Sequence, residues 1–124
     1  MGVDHMEWHA GRACRGYDGN KGAFQGTFKP NEKKTACVNV GGDHINMEVQ
    51  NLNPSKSFDL GDEDCVREFD WITNACRITV LAKNSRGGKL TKAGWYFRYG
   101  GLIHEICRIR VNVSRIDPND GRDC

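Results

Sequence analysis

Hydrophobic and polar positions change period along the chain. Ile45, Met47 and Val49 alternate with Asn46, Glu48 and Gln50, the two-residue period of a half-buried strand. Residues 36–40 form a second apolar run, and the intervening Gly41, Gly42 and Asp43 carry the chemistry of a hairpin turn. Residues 23–28 predict an earlier strand, weakened by Gly26, and Asn53-Pro54 ends this section of sheet. The period then lengthens. Cys65, Phe69, Ile72 and Cys76 stand at i, i+4, i+7 and i+11, one face of an α-helix. Asp62, Glu63 and Asp64 crowd its start, where negative charge complements the helix dipole. Trp71 falls on another face, as a surface contact.

Strand periods return afterwards. Residues 78–82 form a run opened by the β-branched Ile78, Thr79 and Val80, and 84–88 read as a turn. Trp95, Phe97 and Tyr99 alternate with Tyr96 and Arg98. Cys107, Ile109, Val111 and Val113 alternate with Arg108, Arg110 and Asn112. The pattern predicts an α+β fold: an antiparallel β-sheet with one main α-helix packed on it. Trp95 and Phe97 are expected in the core, facing the helix.

The 124 residues suit one compact domain. The opening MGVDHM reads as an expression-tag remnant, so 7–124 is taken as a single disulfide-rich domain. No apolar run is long enough to span a bilayer. The cysteines sharpen the picture. Cys14, Cys37, Cys65, Cys76, Cys107 and Cys124 are even in number and widely spaced, and none forms a C-x-x-C pair. This favours disulfides in a secreted protein over a zinc cluster. His5 and His9 stand four apart, but His5 lies in the tag-like opening, so neither is read as a metal ligand. Six cysteines allow 15 pairings. A continuous helix from Cys65 to Cys76 spans about 16 Å, and a disulfide needs Cα atoms within about 7 Å. Each end of the helix must therefore be stapled to a different partner, with Cys107 a natural anchor. The sequon at Asn112 fits a secretory route.

Charge is segregated beneath a net value of +2. Between 43 and 70, eight acids face two bases; between 77 and 115, nine bases face one acid. Arg98, Arg108 and Arg110 are expected on one outward sheet face beside Tyr96, a basic patch for an acidic partner. The alternative is an ordinary solvated sheet face, with or without pairing to acids on the helix or an adjacent strand. Lys89 and Lys92 are expected as exposed loop residues near the patch.

Enzyme readings carry less weight. His44, Glu48, His104, Glu105 and Arg108 supply the residue types for acid–base cleavage of RNA. In fungal secreted ribonucleases, however, a long helix precedes the catalytic strands, whereas here the main helix follows three expected strands. The cysteines are expected in bridges, which leaves no thiol nucleophile. The acids cluster at a helix start rather than as a cleft pair.

From 64 to 113 the order is DC, an amphipathic helix, a second cysteine, a Gly-Gly turn, GWYFRYGG and EICRIRVNVS. This resembles small cysteine-rich proteins secreted by filamentous fungi, including killer-toxin-like and necrosis-inducing effector domains. Trp95-Tyr96-Phe97-Arg98-Tyr99 is similar to the Trp/Arg/aromatic strand motif of the Leptosphaeria avirulence-suppressing structural family, with Tyr96 where that motif has Arg. The resemblance implies a secreted virulence or avirulence protein of a plant pathogen. It implies a monomer without cofactor or metal, working in the host apoplast or after host-cell entry. Its partner would be a host protein, such as a plant immune receptor or its target, and not nucleic acid. Contact would fall on Tyr96, Arg98, Arg108, Arg110, Lys89 and Lys92, with no catalytic residue. The alternatives are a killer-toxin-like antimicrobial protein and a secreted ribonuclease-like toxin.

Overall fold

The computed structural model describes residues 2–40, 43–77 and 87–103. The fold is α+β. Helix α1 (Val3–Arg15) is followed by β1 (Thr27–Phe28), β2 (Lys33–Val40), β3 (Asp43–Asn51) and β4 (Phe58–Asp59). Helix α2 (Asp62–Ala75), β5 (Gly87–Lys92) and β6 (Trp95–Ile103) complete the order. Four strands form one antiparallel sheet in the order β2-β3-β6-β5; β1 and β4 pair separately.

The strand periods predict the sheet well. β2 and β3 pair from Lys33↔Gln50 to Val40↔Asp43; Gly41 and Gly42 of the expected turn lie outside the described residues. β6 pairs with β3, and Ile45, Met47, Val49, Phe97 and Tyr99 are all buried. β5 and β6 close on Ala93-Gly94, between the paired residues Lys92 and Trp95. Both central residues have positive φ, 52° and 85°. That matches a two-residue primed turn, whose twist suits a hairpin. Gly94 takes this conformation without a Cβ clash; Ala93 does so at a cost. Of 23–28, only Thr27 and Phe28 are strand. The strand expected at 78–82 and the one beginning at Cys107 lie outside the described residues, as does most of the turn at 84–88.

Helix α2 runs where its apolar stripe places it. Cys65, Phe69, Ile72 and Cys76 are each no more than 1% exposed, and Trp71 on another face is 49% exposed. Phe69 anchors the layer: its ring meets Phe97 and Tyr99 edge-on, with centroids 5.7 and 5.3 Å away, and stacks on Phe24 at 5.5 Å. Edge-on and offset aromatic pairs add to plain area burial.

Helix α1 corrects the sequence reading, which set the first six residues aside from the fold. Val3, Met6, Ala10, Ala13 and Cys14 form a second helical stripe, and all are buried. Met6 belongs to the core, and its carbonyl accepts a hydrogen bond from the buried Tyr99 hydroxyl. α1 lies antiparallel to α2. Near one end Cys14 is disulfide-bonded to Cys65, with Cα atoms 5.7 Å apart, and the Arg15 guanidinium grips Glu63 through two 2.7 Å hydrogen bonds. At the other end Asn74 donates to Glu7 at 3.0 Å. The α2 staple at Cys65 therefore reaches a helix and not the sheet. Cys37 and Cys76 are also disulfide-bonded, and none of the described cysteines is a free thiol. No described helix is long and apolar enough to cross a membrane.

Candidate interaction surface

The described residues of the expected basic patch divide between the two sheet faces. Tyr96 and Arg98 lie on the face away from the helices, as strand alternation requires, and Lys89 pairs in register with Arg98. Arg98 is only 7% exposed. Its Nη1 lies 3.3 Å from Glu48 Oε2, directly across on β3, while Lys33 Nζ lies 3.4 Å from Glu48 Oε1. Arg98 is thus not a solvent-facing contact. Nor does it lie on a solvated face: it is buried and paired with an acid from a neighbouring strand. Removing one member of such a buried pair is costly because it strands the other charge. Half-buried Tyr96 joins the same network, with the Lys33 ammonium 5.9 Å from its ring centroid. Burial, and next the charge of Glu48, push the Tyr96 phenol upward.

Lys89 and Lys92 stand on strand β5 and not on a loop. Lys92 turns to the helix side, where its Nζ lies 3.3 Å from the buried carboxylate of Glu68, which Arg67 also contacts at 3.2 Å. Trp95 packs on the core as expected, edge-on to Phe28 at 5.0 Å. Arg108, Arg110, Asn112, Cys107, Cys124, His104 and Glu105 lie outside the described residues. His44 is on β3, paired with Leu102. Glu48 has both oxygens in ion pairs and is 3% exposed, whereas a general base needs a lone pair within reach of a substrate proton.

A different aromatic and cationic surface lies on α1. Trp8 and Arg12, four residues apart on one helix face, are joined by Tyr17 from the segment that follows. The Arg12 guanidinium carbon stands 4.4 Å from the Trp8 ring centroid and 3.7 Å from that of Tyr17. Both rings remain exposed, Trp8 by 57% and Tyr17 by 44%. Tyr17 is held by a tight turn. It exchanges backbone hydrogen bonds with Asn20 across Asp18 and Gly19, which have φ of 50° and 78°. An Asp-Gly pair is well suited to that geometry because both positions need positive φ. The chain then folds back on the end of α1, where the Phe24 N–H donates to the Ala13 carbonyl.

Beside this platform, α1, the segment 17–23 and β2 enclose a groove of about 420 Å³. Ala36, Val38 and Met47 lie at its sheet side; Arg12, Lys21 and His9 contribute polar groups. Burial chiefly, then the Arg12 and His5 charges, hold His9 below the usual imidazole range. The platform was legible in part. Arg12 and Arg15 before Gly16 mark a helix end, and Asp18-Gly19 marks a turn. The stacking of Arg12 depends on how that turn folds back, which residue spacing does not specify. Compared with known proteins, the chain matches no family model and no curated protein.

Proposed function

We propose that the protein is a secreted fungal effector that acts as a monomer by binding a host protein, without catalysis. The observation that carries this reading is the Arg12 guanidinium packed against two exposed aromatic rings, Trp8 and Tyr17. Trp, Tyr and Arg are the residue types that dominate binding hot spots, and a side chain ordered in advance loses less entropy on docking. The contact surface expected around Arg98 moves to α1, because the Arg98 charge is neutralised within the sheet. Paired cysteines support an oxidising, extracellular setting.

The ribonuclease alternative gains one point: α1 precedes the sheet strands, the helix-first order the sequence reading denied it. It loses Glu48, whose carboxylate is committed to Arg98 and Lys33. One experiment addresses these readings together. Secreted wild-type protein and the double variant Trp8→Ala/Arg12→Glu are expressed in leaves and used to capture leaf proteins. The wild type is expected to give a leaf response and a captured protein, and the variant neither, with melting temperatures alike. An unchanged response and capture by the variant contradicts the platform. Degradation of total RNA that is lost on His44→Ala, or growth arrest of fungal cells, replaces the reading with an alternative.

A further inference from the structure

The groove beside the platform has the chemistry of a ligand site in its own right. Its volume falls in the range typical of small-molecule pockets, which combine apolar walls with a few placed polar groups. Ala36 and Val38 of β2 and Met47 of β3 share the helix-facing side of the sheet and form an apolar wall, with Ala13 opposite on α1. Two cations line the groove: Arg12 on the helix and Lys21 on the returning segment.

Those cations are uncompensated. Among the described residues, no carboxylate pairs with Arg12 or Lys21, and no acceptor takes an Arg12 N–H. This contrasts with Arg15, Arg67, Lys33, Lys92 and Arg98, each of which contacts a carboxylate. Trp8 and Tyr17 offer Arg12 ring surfaces and no carboxylate, so its guanidinium N–H groups are left without an acceptor among the described residues. Five N–H groups in a planar fork match a carboxylate, which can accept two of them side by side. His9, whose protonation is disfavoured by burial and next by the Arg12 charge, adds a polar group to the lining.

We infer that the groove binds a small apolar monocarboxylate, an aromatic or short alkyl acid. The carboxylate sits on the in-plane edge of Arg12, Lys21 supplies the second positive charge, and the hydrocarbon body lies over Ala36, Val38 and Met47. This is a ligand site, and it stands whether or not the exposed rings above it dock a protein.

The test uses the oxidised full-length chain labelled with ¹⁵N, titrated with 4-phenylbutyrate and followed by amide shifts. Two probes separate the parts of the ligand: 4-phenylbutanol keeps the body without the charge, and acetate keeps the charge without the body. Saturable shifts are expected at residues around Arg12, Val38 and Met47. Affinity should fall by about tenfold or more for either control probe, a step of roughly 1.4 kcal/mol. Arg12→Met should weaken phenylbutyrate binding by about tenfold. Val38→Phe, which fills the apolar wall and leaves both cations in place, should abolish it while the remaining amide spectrum is retained. Equal affinity for the alcohol and the acid would overturn the assignment, as would acetate binding as tightly as phenylbutyrate. The absence of saturable shifts at about 1 mM probe would overturn it as well.

Discussion

Asp70 carries a charge that the fold disfavours. It lies half-buried on α2, and its Oδ1 has no hydrogen-bond partner. Burial, and next the nearby Glu7 charge, push its carboxyl up to about 6, partly offset by Arg15. A carboxyl raised above its unfolded value binds its proton more tightly in the native state. Its contribution to stability is therefore fully present below about pH 4 and is lost as pH rises through about 6. Asp70→Asn removes the ionisation. Thermal melts should show the variant more stable than wild type at pH 7.5, by about 1 kcal/mol or less after solvent screening. The two should converge near pH 4; a constant difference across that range contradicts the assignment. None of this was legible in the sequence, where Asp70 is one more acid on a helix. Burial and the approach of Glu7 come from the packing of α1. Arg98 teaches the same lesson: alternation gave its face, but only the pairing of β3 with β6 reveals Glu48 opposite.

Among the elements, legibility followed the strength and placement of the periodic signal. α2 could be read because four apolar positions repeat beside an acidic start. β3 and β6 could be read because long β-branched and aromatic runs alternate. β5 is not legible because Gly87 to Lys92 contains only one large apolar residue, Leu90, and two glycines; its place is fixed by pairing with β6. The following turn was also obscure, since Ala93 is a poor residue for positive φ. α1 is obscure for another reason: its first turns fall in a tag-like opening, which hides the repeat of Val3, Met6, Ala10 and Ala13. The packing of Met6 gives a direct check. Met6 is 1% exposed within the core, so Met6→Ala should cost about 2–5 kcal/mol in denaturant unfolding. A loss below about 0.5 kcal/mol, the range of ordinary surface substitutions, contradicts a packed α1.

For the molecule as a whole, the sequence supplied the architecture and the need for sulfur bridges, while the partners of those bridges depended on topology. Six cysteines allow many pairings, and the pairing of Cys14 with Cys65 becomes visible only once two antiparallel helices bring their ends together. The bridge joins residues 51 apart in sequence. Closing a loop of that length in the unfolded chain corresponds to about 4 kcal/mol by chain entropy alone. It also fixes the end of α1 from which Arg12 and Tyr17 build the exposed platform, so the covalent tie and the proposed contact surface belong to one device. The most direct measurement is a map of disulfides in the natively folded protein, digested without reduction and with thiols blocked. The account predicts a peptide containing Cys14 joined to one containing Cys65, with no blocked thiol on either. A free Cys14, or Cys14 joined to any other cysteine, would contradict it.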